Sequence, residues 1–240
     1  MHQFEINRFL KLDLFGLDAS FTNSSAFMVA AVVIVLGFLT LAMSNRSLVP
    51  TRAQSVAEMS YEFIANMLRD NVGKAGMRYM PFVFSLFVFV LACNMLGMLP
   101  YSFTVTSHIV VTFALAALVF VVVTAIGFAR HGLGYFRLLV PSGMPIIMLP
   151  MIVTIELISY LIRPISLSVR LFANMMAGHM LLKVFAGFIV SLGFFTGGFV
   201  PFLATVAFTG LEVFVAFIQA FIFSVLTSIY LSDAVNMHEH

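Results

Sequence analysis

Between Pro145 and Ser191 the chain reads as one nearly continuous apolar helix, in which Pro150 starts or kinks the run and Pro164 sits inside it. At 1.5 Å per residue such a helix is ~70 Å long. The hydrocarbon core of a bilayer is only ~30 Å thick. A helix of this length must tilt strongly or break. The stretch from Pro201 to Leu231 has the same excess of length, and a turn at Thr196, Gly197 and Gly198 separates the two. Composition points the same way. Of 240 residues 62% are hydrophobic and 9% are charged, whereas soluble domains carry about 25% charge.

Three shorter apolar segments precede this pair. They run from about Phe27 to Met43, from Tyr79 to Tyr101 and from His108 to Ala129. Each approaches the ~20 residues that a crossing needs. Residues 53–72 differ. Val56, Met59, Phe63, Ile64 and Met67 recur at helical spacing, and Gln54, Glu58, Glu62, Asn66 and Arg69 form an opposite stripe. That pattern predicts an amphipathic helix lying in the interface or against other subunits. The expected fold is an all-α integral membrane protein of one domain, 1–240. Its parts are a lead (1–25), a first membrane helix (26–44), the interfacial helix (53–72), two scaffold membrane helices (79–101 and 107–129) and two long tilted helices (145–192 and 199–232) forming a hairpin. The lead lacks the basic head and apolar core of a signal peptide.

Loop charge orients the chain. Arg46, Arg52, Arg69, Lys74 and Arg78 fall between the first two membrane segments, and Arg130 and Arg137 follow the third. The loop 101–107 has no charge, and the lead carries Glu5, Asp13 and Asp18. The positive-inside rule then puts the N-terminus outside.

The polar residues concentrate in the last two segments. An arginine at the bilayer centre costs about 3 kcal/mol on insertion scales, so Arg170 marks a functional site. Its guanidinium keeps its proton at any accessible pH. Glu156, Arg163 and Arg170 are spaced by seven and share a helical stripe; Asn174 lies on the same side. His179 is nine residues beyond Arg170, on the opposite face of a straight helix. On the last segment Glu212 and Gln219 share a face. An antiparallel hairpin aligns positions with a constant sum. His179 with Glu212 gives 391 and Arg170 with Gln219 gives 389, both centred near the expected turn. One straight seam cannot hold both pairs, so the helix bends or one residue points to a different partner. Ala173, Ala177 and Gly178 are small enough to admit a close neighbour. Arg163 and Lys183 have a plainer reading as snorkelling or structural charges, and Glu156 as the partner of Arg163.

Several classes are disfavoured. The chain has no P-loop, no Gly-rich dinucleotide motif and no Cys/His metal spacing. It has neither HExxH nor a serine elbow. The net charge of +2 comes from scattered residues and gives no nucleic-acid footprint; the lone Cys93 reads as a small buried hydrophobe. No cofactor, metal or catalytic residue is expected.

The run SVRLFANMMAGHMLLKVFAGF, followed by GLEVFVAFIQAFIFSVLTSIYL, resembles subunit a of the rotary F-type ATP synthase, in its alphaproteobacterial and mitochondrial form. The resemblance extends over most of the chain, including VPTRAQSVAEMSYEFI in the interfacial helix. It implies a stator, not an enzyme on its own, in an energy-coupling membrane, with bacterial inner membrane the first expectation. It implies two offset aqueous half-channels reaching a ring of c subunits, each with a membrane-embedded carboxyl group. Its implied partners are that ring, peripheral-stalk b subunits, the rest of the complex and the lipid bilayer. Arg170 matches the family's essential arginine. His179, Glu212, Asn174 and Gln219 match polar positions around the outer half-channel, and Glu156 the acid near the inner exit. Lys183 has no counterpart in the pattern. The alternative is a self-contained proton-coupled transporter, which calls for two related halves; no internal repeat is visible.

Overall fold

The computed structural model describes residues 8–10, 13–14, 17–18, 21–44, 50–99, 103–132, 134–135, 148–193 and 197–236. Four short strands come first: β1 (Arg8–Leu10), β2 (Asp13–Leu14), β3 (Leu17–Asp18) and β4 (Phe21–Thr22). β1 pairs antiparallel with β4, and β2 with β3. Helices follow: α1 (Asn23–Ala42), α2 (Arg52–Val72), α3 (Met80–Gly97), α4 (Ile109–His131), α5 (Leu149–Leu192) and α6 (Phe199–Val235). Among the described residues five helical segments are long and apolar enough to cross a membrane: α1, Lys74–Gly97, α4, α5 and α6. The fold is all-α in its membrane part, as composition requires.

α5 is assigned as one helix of 44 residues with Pro164 inside it, and is ~66 Å long at 1.5 Å per residue. α6 runs 37 residues to Val235, three residues beyond the expected end at 232. The expected turn at Thr196–Gly198 lies partly outside the described residues, as do Pro145, Tyr101, Arg46 and Arg137.

α2 begins at Thr51, whose side chain caps the amide of Gln54, and ends at Gly73 with φ +78°. Its inward side matches the expected one only in part. Ile64 and Met67 of the expected stripe are buried, together with Ala57, Ala65, Leu68 and Val72, whereas Val56, Met59 and Phe63 are exposed. Gln54, placed on the polar stripe from sequence, is buried and bonds Glu58 (2.8 Å). The physical reason is that a membrane helix has two apolar faces, one for protein and one for its surroundings. Periodicity alone does not separate them.

By contacts the chain forms two compact units. One contains α1 to Phe38, α3 from Val88, the segment to Thr112, α5 from Arg170 and α6 to Phe221. Here Asn94, fully buried, donates to the Ala216 carbonyl of α6 (3.2 Å), a polar clasp between apolar helices. Phe27 packs against Phe103, and Phe185 against Phe208.

The other unit contains α2, the first part of α3, the later part of α4, α5 to Val169 and the end of α6. Arg163 donates to Asp233 at 2.8 Å and lies over the rings of Tyr230 and Tyr160. Glu156, the partner offered by sequence, is not the one used. Tyr160 also shares hydrogen bonds with Thr124 and Tyr135. Burial, with the bond to Tyr160, pushes the Tyr135 phenol well above its usual range. The Tyr135 ring rests against Gly127, where any side chain would collide with it. Asn236 donates to the Val72 carbonyl (2.9 Å), tying the end of α6 to the end of α2.

Gly127→Ala is therefore expected to expel the Tyr135 ring, at a cost of ~1–3 kcal/mol for overpacking. Thermal unfolding of the purified chain in detergent measures it as a lower melting temperature. Gly37→Ala, at a position with open space around it, is the control and should melt like the parent.

Candidate functional site

The site is built where α5 and α6 lie side by side in the first unit. Position 170 divides α5 by face. Arg170, Ala173, Asn174, Ala177, Leu181, Val184 and Phe188 are exposed, and at 100° per residue they fall within a sector of ~100°. Leu171 and Met175 point the other way and are fully buried. His179 is on this inner side and half-buried. Arg170 and His179 thus lie on opposite faces of α5.

On the inner side, His179 Nδ1 lies 3.1 Å from Glu212 Oε1, within the reach of direct proton transfer. Glu212 is only 6% exposed. Its carboxyl group has room because residue 178 is glycine. A Cβ at Gly178 would lie 2.7 Å from Glu212 Oε1 and 3.0 Å from its Cδ. The other ring nitrogen of His179, Nε2, is 2.9 Å from Thr104 Oγ1. Thr104 comes from the segment before α4 and is itself buried. Lys183, one turn beyond His179, is half-buried.

Asn174, at the edge of the exposed sector, donates to Gln219 Oε1 at 2.9 Å. Gln219 is buried. The level expected to match Gln219 with Arg170 is thus used by Asn174, one turn further along α5. Among the described residues Arg170 has no hydrogen-bond or ion-pair partner. Glu156 lies in the second unit, half-exposed, and has none either among the described residues. No group of three or more His, Cys, Asp or Glu that could hold a metal occurs among the described residues.

Sequence reasoning missed Thr104, Asn94 and Asp233. Asp233 was within reach, since its sum with Arg163 is 396, close to the hairpin register of 391. Thr104 carried no signal, because a threonine in an uncharged loop has no periodicity to betray its contact.

Chemically the arrangement offers a buried acid–base pair on one side of a helix and a permanent cation on the other. The first can hold and pass a proton; the second can only attract an anion. The two sides share no direct ion pair.

Comparison with known proteins agrees with this chemistry. The family model described as ATP synthase A chain matches residues 25–232. The chain is 59% identical to ATP synthase subunit a of Chelativorans sp. (strain BNC1), over 98% of this chain and 97% of that protein. It is 58% identical to ATP synthase subunit a 1 of Brucella anthropi, with the same coverage. It is 57% identical to ATP synthase subunit a of Rhizobium leguminosarum bv. trifolii, over 100% of this chain and 98% of that protein. The chain belongs to the ATP synthase A chain family, the non-catalytic, proton-translocating stator subunits of the Fo sector.

Proposed function

We propose that the exposed sector of α5 faces a ring of c subunits, with Arg170 opposite each ring carboxylate as it passes. The observation that carries this reading is a cation on a membrane helix, exposed and without a partner among the described residues, in a row with Ala173 and Ala177. Small residues admit a close helix. A fixed positive charge there favours the ionised ring carboxylate and blocks a direct proton path past it. Lysine is a poor substitute, because a buried lysine can give up its proton.

His179 and Glu212 form the relay of the outer half-channel. Protons from the outside load this pair, pass to the ring and travel around it through lipid. Asn174 and Gln219 hold α5 and α6 together beside Arg170 and offer polar groups between the relay and the ring. Glu156 marks the inner exit. A proton crossing with the membrane potential releases ~2.3 kcal/mol per 100 mV, which the ring converts to rotation. The complex sits in the bacterial inner membrane. Loop charges put the N-terminus outside, and five crossings then put the C-terminus in the cytoplasm. The ring, the peripheral-stalk b subunits and lipid are the partners.

Cysteine cross-linking in the assembled complex tests the facing. Ala173→Cys and Ala177→Cys should cross-link on mild oxidation to cysteines placed on the outer ring helix near its carboxyl group. Leu171→Cys and Met175→Cys, on the buried side, should not. Cross-links from the buried pair alone would overturn the assignment.

The seat of Glu212 gives a second expectation. Gly178→Ala should push the carboxyl group from His179 and lower ATP-driven proton pumping in inverted membrane vesicles by about tenfold or more, the equivalent of ~1.4 kcal/mol on the barrier. Immunoblotting of the membranes checks that the complex is still assembled.

A further inference from the structure

We infer that Thr104 is a positioning residue for the His179–Glu212 pair, its hydroxyl turning between two bonds as the pair gains and loses a proton. The inference rests on the proposed reading of His179 and Glu212 as a relay.

Thr104 is held firmly. It is 2% exposed and precedes a tight helical turn, Val105–Ser107. Ser107 donates to its carbonyl at 2.7 Å. Its methyl group lies against Gly97 at the end of α3, where a Cβ would come within 2.8 Å of Thr104 Cγ2. The absence of a side chain at 97 thus lets Thr104 settle there. Its hydroxyl then lies between two polar atoms, 2.9 Å from His179 Nε2 and 3.3 Å from the Gly97 carbonyl oxygen.

A hydroxyl has one proton to donate and two lone pairs to accept with. The Gly97 carbonyl can only accept. His179 Nε2 accepts when bare and donates when protonated. Two arrangements follow. With the pair loaded, Nε2 carries a proton and a second proton lies on the Nδ1–Glu212 side. Nε2–H then donates to Thr104, and Thr104 donates to Gly97. With one proton fewer, Nδ1–H faces the Glu212 carboxylate and Nε2 is bare. Thr104 then turns and donates to Nε2. The proton that distinguishes the two arrangements comes from the outer half-channel and leaves to the ring carboxylate. In both, Nε2 keeps a partner, and an unpartnered buried polar atom is costly.

The charged and titratable groups around His179 in this unit are few. Glu212 faces it from α6 and Lys183 from one turn along α5. Among the described residues the segment before α4 contributes His108, stacked on Phe103, and α3 from Val88 contributes the buried Cys93. α1 contributes none. Thr104 is the neutral group that touches the ring.

Thr104→Val retains the shape and removes the hydroxyl. The loss weighs most on the loaded pair, where the bond from Nε2–H is assisted by charge. Loading then needs a higher proton concentration. The test is ATP synthesis by the purified complex in proteoliposomes at fixed membrane potential, as a function of lumenal pH. Thr104→Val is expected to shift the profile toward acid by about one pH unit, and Thr104→Ser to restore it. Thr104→Ala, run alongside, covers the case in which the valine variant does not assemble. A valine profile identical to the parent overturns the inference, as do serine and valine profiles shifted alike, which would mean packing only. His179→Ala separates the two levels of argument. If it synthesises ATP with the parent profile, the relay reading itself falls. If it is inactive while Thr104→Val matches the parent, only the role of Thr104 falls.

Discussion

A cation held in hydrocarbon costs several kilocalories per mole unless something charged or polar meets it. Arg170 is such a cation, and among the described residues nothing in its own chain meets it. It is exposed on a helix whose neighbouring exposed positions carry no charge. On the proposed reading a partner supplies the anion that meets this charge. Arg163 shows the opposite solution. It sits against Asp233 and between two tyrosine rings, with its charge met inside the fold. The two arginines are seven residues apart on one helix and have opposite fates.

On the proposed reading the rest of the site keeps protons apart from that cation until a ring carboxylate faces it. His179 lies on the other side of α5 from Arg170, against Glu212 of α6. Gly178 allows the carboxyl group to lie close to the α5 backbone, and Asn174 and Gln219 fix the register of the two helices one turn from Arg170. The long helices are what make this possible. A single α5 carries its outward cation and its inward histidine nine residues apart, so the spacing of these two is set by backbone geometry and not by loops.

Much of this was legible in the residues. The membrane class followed from length and charge content, and the α5–α6 pairing from register arithmetic. The opposition of Arg170 and His179 followed from counting 100° per residue, although the arithmetic could not say which of them turned inward. Three things were hidden. Which apolar face of α2 packs on protein depends on neighbours, since protein and lipid select the same side chains; Val56, Met59 and Phe63 therefore misled. Arg163 had an acid on its own helical stripe, Glu156, and nothing but a register match favoured Asp233. Thr104 and Tyr135 act from connecting segments, where no period links position to contact.

The account depends most on Arg170 acting through its charge within an intact complex. ATP-driven proton pumping in inverted vesicles, parent against Arg170→Ala, tests this directly, with assembly followed by immunoblotting. Loss of pumping by a fully assembled Arg170→Ala complex is the result the account predicts. Normal pumping by that complex would contradict it and leave Arg170 a structural charge.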